Sequence, residues 1–188
     1  MKFMKIMSFL LSILLFTSCS SQPSEPTGDQ KTVNDIAVQI IRCFDEKDLS
    51  GLSALMSKSA HDSYYIETQI KEAFEFYEGK SEKYIVTGWQ WEGGIKDHKF
   101  TDKYFDPTIN HIVTTQGKEY RISFTYYELE NEHPEYIGIT HIGLTEINKE
   151  DSIVLAWIGS DISRLYENGR EMPFTRNPEY TNAVKPKE

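Results

Sequence analysis

Residues 33–56 constrain the fold more than any other stretch of the chain. Apolar residues recur here at intervals of three and four, which predicts a helix that turns one stripe toward a core. These residues are Val33, Ile36, Ala37, Ile40, Ile41 and Phe44. Thr32, followed three residues on by Asp35, resembles a capping box, so the helix is expected to begin near Thr32. The β-rich remainder of the chain needs this apolar stripe to close its core.

Two further helices are predicted to follow. Asp48 is placed to cap a short second helix, whose apolar residues again share one side: Leu49, Leu52, Leu55 and Met56. The spacing predicts a third helix over residues 60–78, with Gly79 as its C-terminal cap. The apolar residues of this third helix are in phase, and they are Ile66, Ile70, Ala73, Phe74 and Tyr77.

The N-terminus has the pattern of a secretory signal. Lys2 and Lys5 precede an apolar run at residues 7–16, which is too short to span a bilayer but suits the core of a signal peptide. Phe-Thr-Ser then leads into Cys19, and the segment resembles a bacterial lipoprotein signal. That resemblance implies cleavage after residue 18 and a lipidated Cys19 that anchors the protein at the extracytoplasmic face of the cell membrane. The alternative is an ordinary secretory signal that happens to contain Cys19.

The composition behind this signal predicts one domain on a tether. Residues 19–31 are polar and contain two prolines, which is typical of a flexible linker. Residues 32–178 have the length of a single domain, and residues 179–188 are predicted to be a polar tail. The formal net charge of −9 argues against nucleic-acid binding and against electrostatic docking on anionic lipid. Cys43 lies on the apolar side of the first helix and is expected to be a buried thiol rather than a catalytic one.

After Gly79 the period of the apolar residues changes to that of strands. Residues 81–91 alternate as a strand and are followed by Gly93-Gly94. Residues 95–108 are predicted to form a long loop tacked down by its aromatic side chains, either a binding loop or lid, or a segment merely packed on the surface. Strands at 110–115 and 118–130 flank a turn at Gln116-Gly117. Strands at 136–147 and 152–159 complete an antiparallel meander.

This order of elements predicts an α+β fold, in which three N-terminal helices pack on a strongly curved antiparallel sheet of four to six strands, a cystatin-like cone. The pattern Ile40-Ile41-x-x-Phe44-x-x-Lys47-Asp48-x-x-x-Leu52-x-x-Leu55-Met56-Ser57 resembles the nuclear transport factor 2-like superfamily. More narrowly, it is similar to a family of bacterial lipoproteins of unknown function. The resemblance covers about residues 32–160 and implies a pocket between sheet and helices. Some members of the superfamily use that pocket as isomerases, dehydratases or cyclases, and others only bind ligands or partners.

The chain carries few groups that point to catalysis. Its histidines have no metal-binding spacing, no serine sits in a nucleophile elbow, and no glycine-rich phosphate loop precedes a helix, so neither a metal nor a cofactor is expected. His141 shares parity with Ile137 and Ile139 and is therefore a candidate inward-facing general acid or base. Glu128 shares parity with Tyr126 and is a second candidate. The alternatives are a core or rim histidine and a solvated strand-end carboxylate.

The aromatic residues of the predicted strands are the more informative feature. They could line one concave surface and bind an apolar or aromatic ligand, or they could simply fill the cone; they are Trp89, Trp91, Tyr120, Phe124, Tyr126 and Trp157. Three function classes stay open. The leading one is a membrane-tethered, non-catalytic binding module for a small molecule or peptide at the cell envelope. The others are a cofactor-independent enzyme of proton transfer and a structural lipoprotein that forms a homodimer through its sheet.

Overall fold

The computed structural model of the protein describes residues 27–147, 152–159, 166–167 and 170–171. The predicted signal peptide, Cys19, most of the predicted tether and the polar tail lie outside the described residues. None of the helices within the described ranges is long and apolar enough to cross a membrane.

Four helices precede the sheet, and the first begins earlier than the sequence predicts. They are α1 (Gly28–Glu46), α2 (Leu49–Leu55), α3 (Lys58–Ser63) and α4 (Ile66–Phe76). Thr27, not Thr32, is the N-cap of α1, because its hydroxyl accepts a hydrogen bond of 3.2 Å from the Gln30 N–H. Residues 28–31 of the predicted tether are therefore helical. The buried side of α1 is the predicted apolar stripe together with Cys43.

The connections between the helices confirm one prediction and contradict another. Asp48 caps α2 as predicted, since its carboxylate accepts a 2.8 Å hydrogen bond from the Gly51 N–H. The single helix predicted over residues 60–78 is wrong, because the structure has α3 and α4 there. The helical path is interrupted where Tyr64 adopts an extended backbone and packs against the core. Ile66 then starts α4 with a second buried face.

The strands form a curled antiparallel sheet, so the α+β prediction is confirmed, with seven strands in place of four to six. The sheet contains β1 (Ser81–Thr87), β2 (Trp91–Glu92), β5 (Asp102–Phe105), β6 (Thr108–Thr114), β7 (Glu119–Glu130), β8 (Gly138–Ile147) and β9 (Ser152–Ile158). A separate hairpin consists of β3 (Ile95–Lys96) and β4 (Lys99–Phe100), and β10 (Tyr166–Glu167) pairs with β11 (Arg170–Glu171). The long loop predicted at 95–108 is therefore wrong, since it contains this hairpin and β5.

Two breaks in the strands lie side by side in the sheet, one between β5 and β6 and the other between β1 and β2. β5 and β6 both pair with β7 and are separated by Asp106-Pro107. β1 and β2 pair with these two strands and are separated by residues 88–90. Gly88 has a φ of +79°, and a Cβ there would lie 2.8 Å from the Asp106 carbonyl oxygen, so the close approach needs glycine. The aligned breaks let the sheet bend sharply, as bulges do.

The core lies between the helices and one face of the sheet. Phe44 of α1 is at its centre and meets the rings of Phe74 and Tyr77 edge-on, at centroid distances of 5.3 and 5.2 Å. The sheet contributes alternate residues, including Tyr120, Ile122, Phe124, Ile142 and Ile158. Residues between these positions project to the opposite face of the sheet.

Candidate functional site

An open cleft of about 500 Å³ lies on the sheet face opposite the helices. On β7, Thr125 and Tyr127 line the cleft, while the alternate residue Phe124 is buried against the helices. The full lining is Tyr104, Asp106, Thr125, Tyr127, Tyr136, Thr140 and His141. The cleft therefore lies across the level at which the strands are interrupted.

A bulge in β8 brings His141 to this cleft. Thr125 pairs with His141, but the next residue, Tyr126, pairs with Ile139, so Thr140 is an extra residue in β8. Ile139 and Ile142 are both buried in the core, while Thr140 and His141 between them both line the cleft. The parity argument that pointed His141 inward with Ile139 is wrong, because the extra residue reverses the alternation.

The bulge is held by close backbone contacts at its flanks. Gly159, just after β9, has a φ of +75°, and a Cβ there would lie 2.2 Å from the Thr140 carbonyl oxygen. Its N–H donates a 2.9 Å hydrogen bond to the side-chain carbonyl of Gln69 on α4. The Ser57 N–H donates a 2.7 Å hydrogen bond to the Ile139 carbonyl oxygen. The bulge is thus fixed from the sheet and from the helices, which gives His141 a defined position.

A chain of hydrogen bonds joins Asp106, Thr125 and His141. The Thr125 hydroxyl donates to the Asp106 carboxylate, and its oxygen lies 3.2 Å from Nε2 of His141. A hydroxyl has one proton, and a carboxylate is the stronger acceptor, so Nε2 carries the hydrogen and donates it to Thr125. Nδ1 is then the acceptor nitrogen, and the Thr140 hydroxyl donates a long hydrogen bond of 3.5 Å to it. This arrangement leaves His141 with an acceptor on its Nδ1 side.

Burial keeps the imidazole neutral. It lowers the pKa of His141 below its usual value, because a charged ring loses hydration, and the negative charge of Asp106 opposes this shift only in part. Above about pH 6.5, the ordinary value for histidine, the ring is neutral. It can then accept a hydrogen bond, or a proton, at Nδ1.

Trp157 of β9 adjoins His141, with ring centroids 5.9 Å apart. Its ring covers Gly143, where a Cβ would lie 3.0 Å from the indole. Its indole Nε1–H is buried and has no hydrogen-bond partner among the described residues. An unpaired buried donor is uncommon in folded proteins. The indole N–H of Trp157 is thus a second polar group beside the imidazole.

Tyrosine rings form the other wall of the cleft. Tyr104 and Tyr127 stack with centroids 5.0 Å apart at an angle of 25°, and Tyr136 lies 6.0 Å from Tyr127. The Tyr104 hydroxyl donates a 3.0 Å hydrogen bond to the Glu92 carboxylate, which raises the pKa of Tyr104 to about 12. Tyr136 is 40 % exposed. The wall presents flat aromatic surface together with phenol hydroxyls.

The aromatic residues predicted to bind ligand do not meet on one surface. Tyr120 and Phe124 are buried in the core, as expected if aromatics fill the cone, and the Tyr120 hydroxyl donates to the Phe76 carbonyl oxygen at 3.1 Å. Tyr126 packs against the core beside Phe105. Of the predicted set, Trp157 is the residue that contacts His141. Trp89 lies just before β2, and Trp91 is the first residue of β2, where it packs on Phe100 of the β3–β4 hairpin.

Glu128, the second predicted acid or base, belongs to an ion-pair cluster away from the cleft. Its carboxylate lies 2.7 Å from the Lys103 ammonium, which is also 2.6 Å from Asp29 in the first turn of α1. Burial alone would lower the pKa of Lys103, but the hydrogen bonds and charges of the two carboxylates outweigh it and the pKa is raised. Glu128 therefore joins α1 to the end of the sheet.

Most cleft residues were not predicted from the sequence. Asp106 lies in the segment predicted to be a loop, and Thr125 and Tyr127 alternate along β7 with the apolar residues that face the core. The Asp106-Pro107 pair was a usable signal, because proline cannot donate to a sheet and marks a break in a strand. The six unpredicted residues are Tyr104, Asp106, Thr125, Tyr127, Tyr136 and Thr140.

Two other features bear on the chemistry available. Across residues 27–147 and 152–159, no group of three or more His, Cys, Asp or Glu side chains is placed so that it could hold a metal ion. A second depression of about 370 Å³ lies at the β1 edge beside Ile85 and His111. The His111 imidazole is 2.6 Å from the Glu119 carboxylate there, so its polar atoms already pair with each other.

Comparison with known proteins gives a family match. Residues 39–149 match a family model described as a domain of unknown function (DUF5104). The match spans α1 from Gln39 onward, the other three helices and the sheet as far as the end of β8. No curated protein matches the sequence.

Proposed function

We propose that this chain, which belongs to the DUF5104 family of domains of unknown function, is a membrane-tethered, non-catalytic binding module for a small molecule or peptide at the cell envelope. The observation that carries the proposal is the outer-face cleft, where tyrosine rings lie beside a neutral histidine that is fixed by a hydrogen-bond chain. The relationship to the nuclear transport factor 2-like superfamily is part of the proposal. It is supported by the curled sheet covered by helices on one face.

The cleft supports recognition of a flat or hydroxylated group. Tyr127 stacks on Tyr104 and lies tilted by 34° to Tyr136, so these rings offer aromatic surface at small entropic cost, because a tyrosine has few rotatable bonds. A sugar ring, an aromatic ring or a tyrosine of a peptide fits such a surface. His141 would accept a hydrogen bond from an N–H or O–H of the bound group at Nδ1. Polar groups of this kind fix the orientation of a ligand on an otherwise aromatic wall.

The internal hydrogen bonding favours binding over catalysis. The Thr125 hydroxyl donates a hydrogen bond to the Asp106 carboxylate, so one oxygen of that carboxylate is already engaged within the protein. The lowered pKa of His141 makes its imidazole a weak proton acceptor. These side chains are held by one another, which suits a preformed binding surface.

The lipid anchor completes the proposal. Cys19 follows the predicted signal core and precedes Thr27, the N-cap of α1, by eight residues. An extended chain of that length reaches at most about 26–29 Å. Two acyl chains on Cys19 would therefore hold the domain close to the membrane.

Proton transfer without a cofactor is the second candidate, and one observation favours it. His141 is neutral, is oriented by Thr125 and Asp106, and has its acceptor nitrogen Nδ1 beside Thr140, whose hydrogen bond to it is long at 3.5 Å. An oriented imidazole with a carboxylate behind it is the arrangement of a general base. A substrate with an acidic C–H placed against Nδ1 would be the reactant.

The test of the cleft uses the fluorescence of Trp157, which neighbours His141. In the full chain with Trp89→Phe and Trp91→Phe, Trp157 is the one tryptophan left, and its fluorescence is titrated with benzyl alcohol, N-acetylglucosamine and a tyrosyl dipeptide as separate probes. We expect saturable quenching by at least one probe. Tyr127→Ala should weaken it about tenfold or more, since it removes a ring contact from the ligand.

The control and the contrary results are distinct. Ile85 is exposed at the β1 edge, so the control variant Ile85→Ala should leave the titration unchanged. Quenching that Tyr127→Ala does not alter would place binding elsewhere. Chemical conversion of a bound probe, abolished in His141→Ala with the fold retained, would favour the enzyme. The anchor is tested separately: Cys19→Ala should release the chain from membranes or leave it unprocessed, and a processed variant that stays with the membrane would refute lipidation.

A further inference from the structure

The β3–β4 hairpin projects an apolar face into solvent. Ile95 pairs with Phe100 across the hairpin and Lys96 pairs with Lys99, so the apolar pair lies on one face and the two lysines on the other. Asp97 at the turn has a φ of +50°, as in the tight turns that join short antiparallel strands. Ile95 is 62 % exposed and Phe100 is 42 % exposed. A two-stranded hairpin with its apolar side open is uncommon on a soluble surface unless that side contacts something.

A tryptophan extends this apolar face. The Trp91 ring meets the Phe100 ring edge-on, with centroids 5.0 Å apart. Trp91 is itself partly exposed. Tryptophan, phenylalanine and isoleucine together with lysines form the mixture that peripheral proteins place at the boundary between lipid head groups and acyl chains.

The hairpin emerges from the end of the sheet at which α1 begins. Its base is tied to the sheet by the Thr101 N–H, which donates a 3.0 Å hydrogen bond to the Gly94 carbonyl oxygen. Two residues after Thr101, Lys103 forms its 2.6 Å ion pair with Asp29 in the first turn of α1. The polypeptide that leads back to Cys19 therefore leaves the domain beside the hairpin.

We propose that the β3–β4 hairpin docks on the surface of the bilayer that holds the lipid anchor, with Ile95, Phe100 and Trp91 entering the interface. This inference rests on the proposed lipidation of Cys19. A connection that reaches at most about 26–29 Å keeps this end of the domain near the membrane and raises the effective concentration of the hairpin there. Lys96 and Lys99 outnumber the one acid of the hairpin, Asp97, so residues 95–100 carry a formal charge of +1 in a chain whose formal net charge is −9. That local charge suits lipid phosphates although the rest of the surface does not.

The occupant is a bilayer rather than a second protein because the anchor fixes the hairpin beside lipid before any partner arrives. Docking would also hold the domain in one orientation relative to the membrane. The Tyr104 wall of the cleft is on β5, the strand that follows the hairpin, so the height of the cleft above the lipid would be fixed as well.

The experiment measures the depth of Trp91 in vesicles. Full chain carrying Trp89→Phe and Trp157→Phe is reconstituted through its lipidated Cys19 into phosphatidylcholine vesicles whose acyl chains are brominated near the head groups. We expect quenching of Trp91. Ile95→Ser together with Phe100→Ser should reduce the docked population about tenfold or more, the effect of withdrawing a buried apolar side chain from the interface. Ile95→Ser alone keeps the Trp91–Phe100 contact and should give a smaller loss in the same direction.

Two matched controls keep the test specific. Val38→Ser and Ile85→Ser remove equally exposed apolar side chains elsewhere on the domain and should leave the quenching unchanged. Lys96→Gln with Lys99→Gln should reduce quenching more in vesicles that contain phosphatidylglycerol than in phosphatidylcholine alone, because it removes charge and little apolar area.

Each contrary result has its own meaning. If the mass of the chain shows lipid on Cys19 and the chain floats with vesicles, but Trp91 is not quenched, the docking is refuted and the anchor is not. A Cys19 without lipid refutes both the anchor and the docking. Protection of Trp91 that appears without vesicles and rises with protein concentration would assign the apolar face to a second copy of the chain and would overturn the proposal. The titration of the cleft is independent of all three results.

Discussion

Replacing Phe44 with alanine should remove a large part of the stability of the domain. The ring is fully buried on α1 and meets Phe74 and Tyr77 edge-on. Truncating a buried phenylalanine costs about 3–5 kcal/mol, from the lost transfer free energy and the cavity that remains. The two aromatic contacts place this variant toward the upper end, because each such pair adds about 0.5–1.5 kcal/mol. Natural domains are stable by only about 5–15 kcal/mol, so little would remain in an average case.

The loss is measurable by urea denaturation and by thermal melting. For a domain of this size each kcal/mol lowers the Tm by about 2–4 °C, so the Tm should fall by about 10 °C or more. Val38→Ala is the matched control, since Val38 is on the solvent side of the same helix and is 52 % exposed. It should change the free energy of unfolding by less than about 0.5 kcal/mol. A Tm lowered by only a degree or two in Phe44→Ala would contradict the central position of this ring.

Three further changes test the cleft and its supports. Burial lowers the pKa of His141 in the folded chain, so below about pH 6.5 the unfolded chain binds more protons than the folded one. The free energy of unfolding therefore decreases as the pH is lowered through this range. His141→Gln should flatten this dependence in urea titrations at several pH values, and equal slopes would contradict a buried neutral ring. Lys103→Met leaves two carboxylates without their shared cation and should cost about 1–2 kcal/mol, whereas Lys58→Met in an exposed pair should cost less than about 0.5 kcal/mol. Gly159→Ala forces a Cβ against the Thr140 carbonyl at positive φ and should cost about 1–3 kcal/mol, and a melt that matches the wild type would show that the bulge yields freely.

The helical layer was predictable because its periodicity is local. The buried side of α1 is the stripe read from the sequence, and Asp48 caps α2 at the expected residue. The start of α1 differs from the prediction because Thr27 and Thr32 are both residue types that cap helices well. Asp29, in the first turn that Thr27 caps, pairs with Lys103 far along the chain, a contact that local sequence does not reveal. The prediction of one helix over residues 60–78 misses the break at Tyr64 because it extends the helix back to residue 60, although the apolar phase of α4 begins only at Ile66.

The cleft was not predictable because its position depends on pairing between distant strands. Alternation places a side chain correctly only while the strand has no extra residue, and Thr140 is such a residue. The bulge is stabilised by Gly159 and by Ser57, which are distant in sequence from β8. The parity argument for His141 fails because of this extra residue. Glu128 lies on the helix side, as its parity implies, and is paired with Lys103 there.

The interruptions of the sheet explain why polar side chains collect at the cleft. A regular sheet uses its N–H and C=O groups in its own ladder, and its outer face then presents alternating side chains with no common focus. Here Asp106-Pro107, the bulge at Thr140 and the glycine at 88 break neighbouring strands at one level. The sheet bends there, and the Asp106 carboxylate comes within hydrogen-bond reach of Thr125, and through it of His141. The same irregularity that curls the sheet around the helices therefore assembles the polar groups on its other face, so a substitution that straightened the sheet would be expected to disperse the cleft before it unfolded the core.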